Sequence, residues 1–402
     1  MKIKLREIAE YVNIKINSNN LSLNNYISTE NMLPDRKGIS ISSNIPNNNV
    51  NKFLKNDILI SNIRPYFKKI WFAIFEGGAS NDILVIRGNN KVNSKYLYYL
   101  LSTDDFFDYN VKGSKGTKMP RGDKEHIMNY EFKLPSLKEQ KRIADILTAL
   151  DDKIELNNQM NQTLEEIENL LYKRWFVDFE FPDDKCNPYK SSGGEMVDSE
   201  LGMIPKGWEV KELGDICETI ASGSTPSKID VDNALDTSNE LIGFIKVKDI
   251  INSEIQFSKI EFIPLLISEE KMRRSILKEN DILLSMAGTI GRTARVSKEF
   301  SNMNINQALA TIRVEDIIMI PYVYCWINSI ATQDSFKSKT VHAVQANLSL
   351  SSIRKQKILI PETKVIKSYY NKINYNFKKI DLNILEINKL KKIKINYLKI
   401  LL

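Results

Sequence analysis

The sequence predicts an α+β fold: two similar mixed α/β domains, each followed by one long helix, related by a pseudo-two-fold internal repeat. Three observations predict this. A stretch beginning at Leu54 recurs at Leu277, later matches hold one constant spacing, and each copy runs into a segment with heptad apolar periodicity. At 402 residues the chain also exceeds one ordinary core, which calls for roughly two or three domains.

The first copy reads Leu54-Lys55-Asn56-Asp57-Ile58-Leu59-Ile60-Ser61 and the second Leu277-Lys278-Glu279-Asn280-Asp281-Ile282-Leu283-Leu284-Ser285. Each is a polar turn entering a buried strand. Beyond them the offset settles at 226 residues: Ile86-Arg87 matches Ile312-Arg313, Tyr96 matches Tyr322, Ile127 matches Ile353, and Leu134-Pro135 matches Ile360-Pro361. The same offset carries Ile143, Leu147, Ile154, Leu164 and Ile167 onto Tyr369, Ile373, Ile380, Leu390 and Ile393. A unit this long lies far beyond solenoid repeats of roughly 20–50 residues and means two copies of one module. Two modules in one chain imitate a two-fold dimer and suit a target with two separated half-sites. A plain duplication without functional symmetry is the other reading.

Along the chain, residues 1–136 form the first globular part. Short β-rich runs such as Ile58–Ile60 and Trp71–Phe75 alternate with Gly, Asn and Ser turns, and the patch Ser94–Ser102 carries its aromatics on one helical face. A helix is predicted over 137–180. Its seam runs through Ile143, Leu147, Leu150 and Ile154, then Asn157 and Asn161, to Leu164. Asparagines on such a seam cost stability and fix register. Residues 181–200 read as a linker. The second globular part, 201–362, repeats the pattern with a strand at Ile282–Ser285, a helical patch at Pro321–Ser329 and extra sequence around Ser227–Asn239. In the last segment, 363–402, Ile366, Tyr370, Ile373, Phe377, Ile380, Ile384 and Ile387 form a second seam. As one helix from Lys364 it is ~58 Å long at ~1.5 Å per residue. The abundant asparagines elsewhere read as compositional bias.

Charge pairs the two helices. Between Lys138 and Glu180 there are 6 basic and 10 acidic residues, against 10 basic and 2 acidic between Lys364 and Leu402. Opposite signs on two heptad segments favour a mutual coiled coil, and the positive surplus leaves room for nucleic acid or another subunit on the second helix. The whole chain, with Lys+Arg 57 against Asp+Glu 50, carries +7, which permits a polyanion partner without requiring one.

Composition excludes several classes. An apolar fraction of 42% with 27% charged residues fits a soluble globular protein. No run approaches ~18 consecutive apolar residues, so no membrane span is expected. The opening MKIKLREIAE lacks the apolar core of a secretory signal. Cys186, Cys217 and Cys325 are scattered and suggest neither a disulfide framework nor zinc, which fits a reducing cytoplasm. His126 and His342, the two histidines, have no cysteine or carboxylate at metal spacing, so no metal site is expected.

Fragments that imitate catalytic motifs are incomplete. Asn187-Pro188-Tyr189 lacks the second proline of an amino-methyltransferase loop, and no glycine-rich strand-to-helix turn precedes it. Gly223-Ser224-Thr225-Pro226-Ser227-Lys228 lacks the glycine that precedes lysine in a phosphate loop. Pro182-Asp183 followed by Glu209-Val210-Lys211 has the loose spacing of a divalent-metal nuclease. A nuclease acting alone, through Asp183, Glu209 and Lys211, is the competing enzyme hypothesis. A coiled-coil interaction protein with no DNA role is a third.

What remains is basic loops interleaved with aromatics. In the first module they hold Arg64, Tyr66, Lys68 and Lys69, and then Lys115, Lys118, Arg121 and Lys124. In the second they hold Lys246 and Lys248, then Arg292 and Arg295, then His342, Gln345 and Asn347. Lysine and arginine neutralise phosphates, arginine brackets a guanine edge, and glutamine or asparagine brackets an adenine edge. An ordinary solvated surface is the alternative for any single loop. Loops at comparable places in both modules, around Lys118 and Gln345, favour double-stranded DNA.

Together these features resemble the specificity (S) subunit of type I restriction-modification systems. The resemblance is carried by Leu134-Pro135-Ser136-Leu137-Lys138-Glu139-Gln140-Lys141-Arg142-Ile143-Ala144 and by the helix ending Arg174-Trp175-Phe176-Val177-Asp178-Phe179. It continues in Leu201-Gly202-Met203-Ile204-Pro205-Lys206-Gly207-Trp208-Glu209, Leu213-Gly214-Asp215-Ile216 and Ser222-Gly223-Ser224-Thr225-Pro226. Asn280-Asp281-Ile282-Leu283-Leu284-Ser285 and Gln345-Ala346-Asn347-Leu348-Ser349 complete it. It spans essentially the whole chain, although the first module lacks the Pro-Lys-Gly-Trp lead-in and the Gly-Ser-Thr-Pro loop.

The resemblance implies a DNA-reading subunit without chemistry of its own. Residues 1–136 and 201–362 would be target recognition domains, each reading one half of a bipartite, asymmetric sequence. The helices would pack antiparallel, set the half-site spacing and dock two methyltransferase subunits that methylate adenine, with a restriction subunit joining for cleavage. No cofactor is expected on this chain; S-adenosylmethionine, ATP and Mg²⁺ belong to the partners. Leu164, Ile167, Leu171, Trp175, Phe176 and Phe179 are the expected subunit contact, with packing inside this chain as the alternative for the aromatic cluster.

Overall fold

The computed structural model describes residues 2–235, 240–257, 260–338 and 347–401. It forms two compact units, one of Met1–Leu156 with Lys389–Leu402 and one of Asn157–Asn388. No helix among the described residues is long and apolar enough to cross a membrane.

The predicted repeat is the same sheet built twice. In the first unit, β1 (Ala9–Tyr11), β2 (Ile58–Ser61), β3 (Ile70–Phe72) and β4 (Ile83–Gly88) lie in the antiparallel order β1-β4-β2-β3. In the second, β5 (Cys217–Ser222), β6 (Ile282–Ser285), β7 (Thr293–Arg295) and β8 (Leu309–Val314) lie in the order β5-β8-β6-β7. Ile58 stands opposite Ile86 and Phe72, and Ile282 opposite Ile312 and Arg295.

Each central strand is entered through an asparagine in the left-handed region, Asn56 at φ 75 and Asn280 at φ 71. Asparagine tolerates that conformation better than most side chains, so these two serve the turn and are more than compositional bias. The following aspartate is buried and braced. Asp57 takes both Arg87 nitrogens at 2.7 Å, and Asp281 takes Arg313 in the same fork, also at 2.7 Å. Each also accepts an amide of its own turn, from Leu54 or Lys278, at 2.7 Å. A buried carboxylate is tolerated here because a guanidinium and an amide satisfy its oxygens. The carboxylates in turn hold both guanidinium groups above their ordinary pKa.

The central helix runs Leu137–Tyr172 and continues as a wider π turn, Lys173–Val177; the C-terminal helix runs Thr363–Leu401. In the first unit Ile143 and Leu147 are buried with Tyr96, Leu100 and Phe106, and Leu398 and Leu401 pack on the same core. There Lys394 reaches Asp151 at 2.6 Å. In the second unit the Asn157 amide donates to Glu386 at 2.9 Å, and Asn161 accepts from Asn383 at 2.8 Å. Partner numbers fall on one helix as they rise on the other, so the pairing is antiparallel. On the predicted seam Ile366, Ile373, Phe377 and Ile387 are buried and Tyr370, Ile380 and Ile384 half-buried, while Tyr369 takes the fully buried aromatic place.

One expectation changes here. Trp175 and Phe176 are only 4% and 3% exposed, so neither is available for a subunit contact. Phe176 packs against Tyr322 at 4.5 Å, Tyr369 at 4.8 Å and Trp208 at 5.9 Å between centroids. Trp208, from the Pro-Lys-Gly-Trp lead-in, helps close this core. The segment read as a linker, 181–200, packs on the core of the second unit: Phe181 stacks on Tyr189 at 4.6 Å and on Trp208 at 5.2 Å. Of the remaining predicted contact residues, Leu164, Leu171 and Phe179 are half-buried and Ile167 is exposed.

Candidate nucleic-acid interface

In the first unit the sequence-predicted cations converge on a turn and a hairpin. Arg64 and Lys68, both at φ 50, bracket the short 3-10 turn Pro65–Phe67. Such backbone persists only when neighbours hold it. Here the Arg64 amide donates to the Pro120 carbonyl at 2.8 Å, and the Asp35 and Arg36 amides donate to Phe67 and Lys68 at 2.9 and 3.1 Å. Pro120 belongs to the hairpin whose ends pair as Lys115 and Arg121, each amide donating to the other's carbonyl at 2.9 Å.

Charges in this cluster divide into held and free. Lys68 and Arg36 share Asp104, each at 2.5 Å, and Lys68 first and Arg36 second hold that carboxyl below its usual range. Lys115 reaches Asp123 at 2.5 Å and Arg121 reaches Asp82 at 3.1 Å. Arg64 and Lys118 are exposed and make no ion pair among the described residues, and Tyr66 is exposed beside Phe67 at 4.7 Å. Lys69 turns inward, donating to the Thr29 carbonyl at 2.6 Å, and burial lowers its pKa. Lys124 is exposed and lies 5.9 Å from the Tyr11 ring. The backbone thus brings the turn with Arg64 and Tyr66 next to the hairpin with Lys115, Lys118 and Arg121, a combination of cations and an exposed ring with the chemistry to bind phosphates and stack against a base or sugar.

The second unit brings Lys246, Lys248 and Arg292 together. Both lysines sit on Glu261, at 2.5 and 2.7 Å, and hold its carboxyl down at about 2. Arg292 donates to the Val247 and Ile250 carbonyls at 3.3 and 3.1 Å, tying its loop to the lysine turn. It also lines a cleft of about 340 Å³ with Asn252, Asn328 and Gln333. In the Gly-Ser-Thr-Pro loop, a Cβ at Gly223 would meet the Ile305 carbonyl oxygen at 1.9 Å, so only glycine passes. Beyond it the Thr225 hydroxyl bonds Gln307. Asn347 is exposed, and His342 and Gln345 lie outside the described residues.

Arg295 is a correction. Its guanidinium, 12% exposed, binds Asp381 at 2.7 Å and the Phe377 carbonyl at 3.1 Å and lies over the Phe377 ring at 4.8 Å. It braces β7 to the C-terminal helix and is withdrawn from any DNA face. The nuclease residues are also otherwise engaged. Asp183 accepts the Lys185 and Asn187 amides at 2.8 Å, and Glu209 pairs with Lys211 at 3.1 Å on one strand. Sequence reading missed Arg36, Asp104 and Glu261, which position the predicted cations. None belongs to a motif, and only the folded chain shows which acid meets which base.

A family signature described as the type I restriction modification DNA specificity domain matches residues 1–166 and 205–397. The type I restriction enzyme MjaIX specificity subunit of Methanocaldococcus jannaschii is 29% identical over 308 residues, which are 75% of this chain and 67% of that protein. The HindI specificity subunit of Haemophilus influenzae is 26% identical over 416 residues, 89% and 88% of the two chains. The crystal structure of a type I restriction-modification S subunit from M. genitalium shares the fold, with a TM-score of 0.61 at 13% identity and coverage of 100% and 95%.

Proposed function

Because the chain belongs to the type I restriction modification DNA specificity family, we propose that it reads a bipartite, asymmetric double-stranded DNA target, one half with each module. It performs no chemistry itself. It presents the site to two methyltransferase subunits that methylate adenine, and a restriction subunit joins for cleavage, all in the cytoplasm. The observation that supports this reading is the duplicated sheet with its duplicated Asp–Arg brace, one copy in each module that carries basic loops. Half-site reading needs two such modules, and a pair of long antiparallel helices suits a ruler.

The test is methylation mapping by long-read sequencing of DNA from cells that express the chain with its methyltransferase partner. One split motif carrying methyladenine, lost when this chain is omitted, is the expected result. A folded complex that leaves no motif refutes the reading.

Within the first module Arg64 and Lys118 are expected to touch phosphates. Replacing both by alanine should lower the slope of log affinity against log salt by about 2. Filter binding at several salt concentrations measures it, and an unchanged slope removes both residues from the interface.

A further inference from the structure

The second unit contains a polar cleft that the proposed DNA contacts leave unassigned. Glu165 and Glu168 of the central helix, Glu254, Arg295, Tyr324 and Asp381 line it, and it continues past Cys325 and Asn328 as a space of about 190 Å³. Four carboxyl groups and one guanidinium line the cleft, and that guanidinium is already bound to Asp381. Glu168 is 4% exposed, lines both parts of the cleft, and its Oε1 makes no hydrogen bond. Buried polar atoms are ordinarily satisfied, so this oxygen points to a donor.

The internal repeat shows how the first unit fills the corresponding place. At the offset of 226 residues Glu168 corresponds to Lys394, and Cys325 to Tyr99. In the first unit the Lys394 ammonium sits 2.6 Å from Asp151 and 5.4 Å from the Tyr99 ring centroid, and the Tyr99 hydroxyl donates to the same carboxylate at 2.9 Å. In the second unit Glu168 stands where the lysine would be and Phe377 where Asp151 would be, so the internal ammonium and its carboxylate have no counterpart there. Among the described residues no three His, Cys, Asp or Glu side chains converge as a metal ion requires.

We propose that this cleft binds an ammonium group from outside the chain, supplied by a free polyamine or by the lysine side chain of a docked protein, with Glu168 and Glu165 as its anionic partners. The electrostatics agree. Burial, with Glu165 and Asp381 adding to it against Arg295, pushes the Glu168 carboxyl up to about 8; burial and then Glu254 push Glu165 up to about 7. Asp381 on the C-terminal helix is raised by burial, and Tyr324 and Cys325 are pushed up to about 12 and stay uncharged. Bound ammonium favours the ionised carboxylates, so binding releases protons and strengthens as pH rises through 7 and 8.

Calorimetric titration of the full chain with spermidine, without DNA, tests this. Saturable binding is expected, at least ~tenfold tighter at pH 8.5 than at pH 6. It should weaken at least ~tenfold in Glu168→Gln, which mimics the protonated carboxyl and so preserves the fold, and also in Glu165→Gln. Nα-acetyl-lysine N-methylamide separates the sources: comparable binding supports a protein lysine, and binding of spermidine alone supports a free polyamine. No saturable binding of either amine to the folded chain, or binding that neither glutamine variant alters, overturns the proposal.

Discussion

Asp281→Ala should destabilise the second unit by about 3–5 kcal/mol, the range for removing one partner of a buried ion pair. Asp281 is 1% exposed and Arg313 only 16%, so the substitution leaves a largely buried guanidinium with only the Ile276 carbonyl at 3.2 Å and the more distant Glu218 at 3.9 Å. It also frees the Lys278 amide and with it the left-handed turn at Asn280. Asp57→Ala should cost less, because Arg87 is 32% exposed and water can replace part of the lost bond. Hydrogen exchange followed by mass spectrometry reads the units separately. Loss of protection should concentrate in β6 and β8 for Asp281→Ala and in β2 and β4 for Asp57→Ala. Unchanged exchange there would show that the brace does not hold the sheet.

Inserting four residues into the central helix next to Asn157 should change the DNA target rather than abolish it. The helix lengthens by ~6 Å, and four residues are close to one turn of ~3.6, so the apolar seam resumes on nearly the same face. Beyond the insertion Asn161 can keep accepting from Asn383 only as Lys394 moves one turn away from Asp151. Methylation mapping should return both half-sites unaltered with a spacer longer by about one or two base pairs, given ~3.4 Å per base step. An unchanged spacer refutes the ruler.

Much of the architecture was legible because the chain states it twice. Periodicity marked Ile58–Ile60, Ile282–Ser285 and both long helices, and the seam placed Asn157 and Asn161 inside, where they are buried at 1% and 4% exposure. Side-chain partners were not legible. Arg295 looked like its neighbour Arg292, yet it meets Asp381, 86 residues away, while Arg292 meets backbone carbonyls. Trp175 and Phe176 looked like a docking patch because their cover, Trp208 and Tyr369, comes from distant segments. Local pattern reveals that a surface is apolar, and only tertiary packing decides what covers it. The acids that hold Lys68, Lys246 and Lys248 escaped for the same reason.

The first unit is discontinuous: its core, begun by the opening residues, is finished by Leu398 and Leu401, and its Asp151 meets Lys394. During synthesis, at ~5–20 residues per second, the ribosome must therefore make the whole second unit before the first can close. Ile143 and Leu147 have their own module to pack on, but the apolar flank meant for Leu398 waits uncovered through that interval. The discontinuity makes the order of completion the reverse of the order of translation, with the second unit, contiguous in sequence, able to finish first.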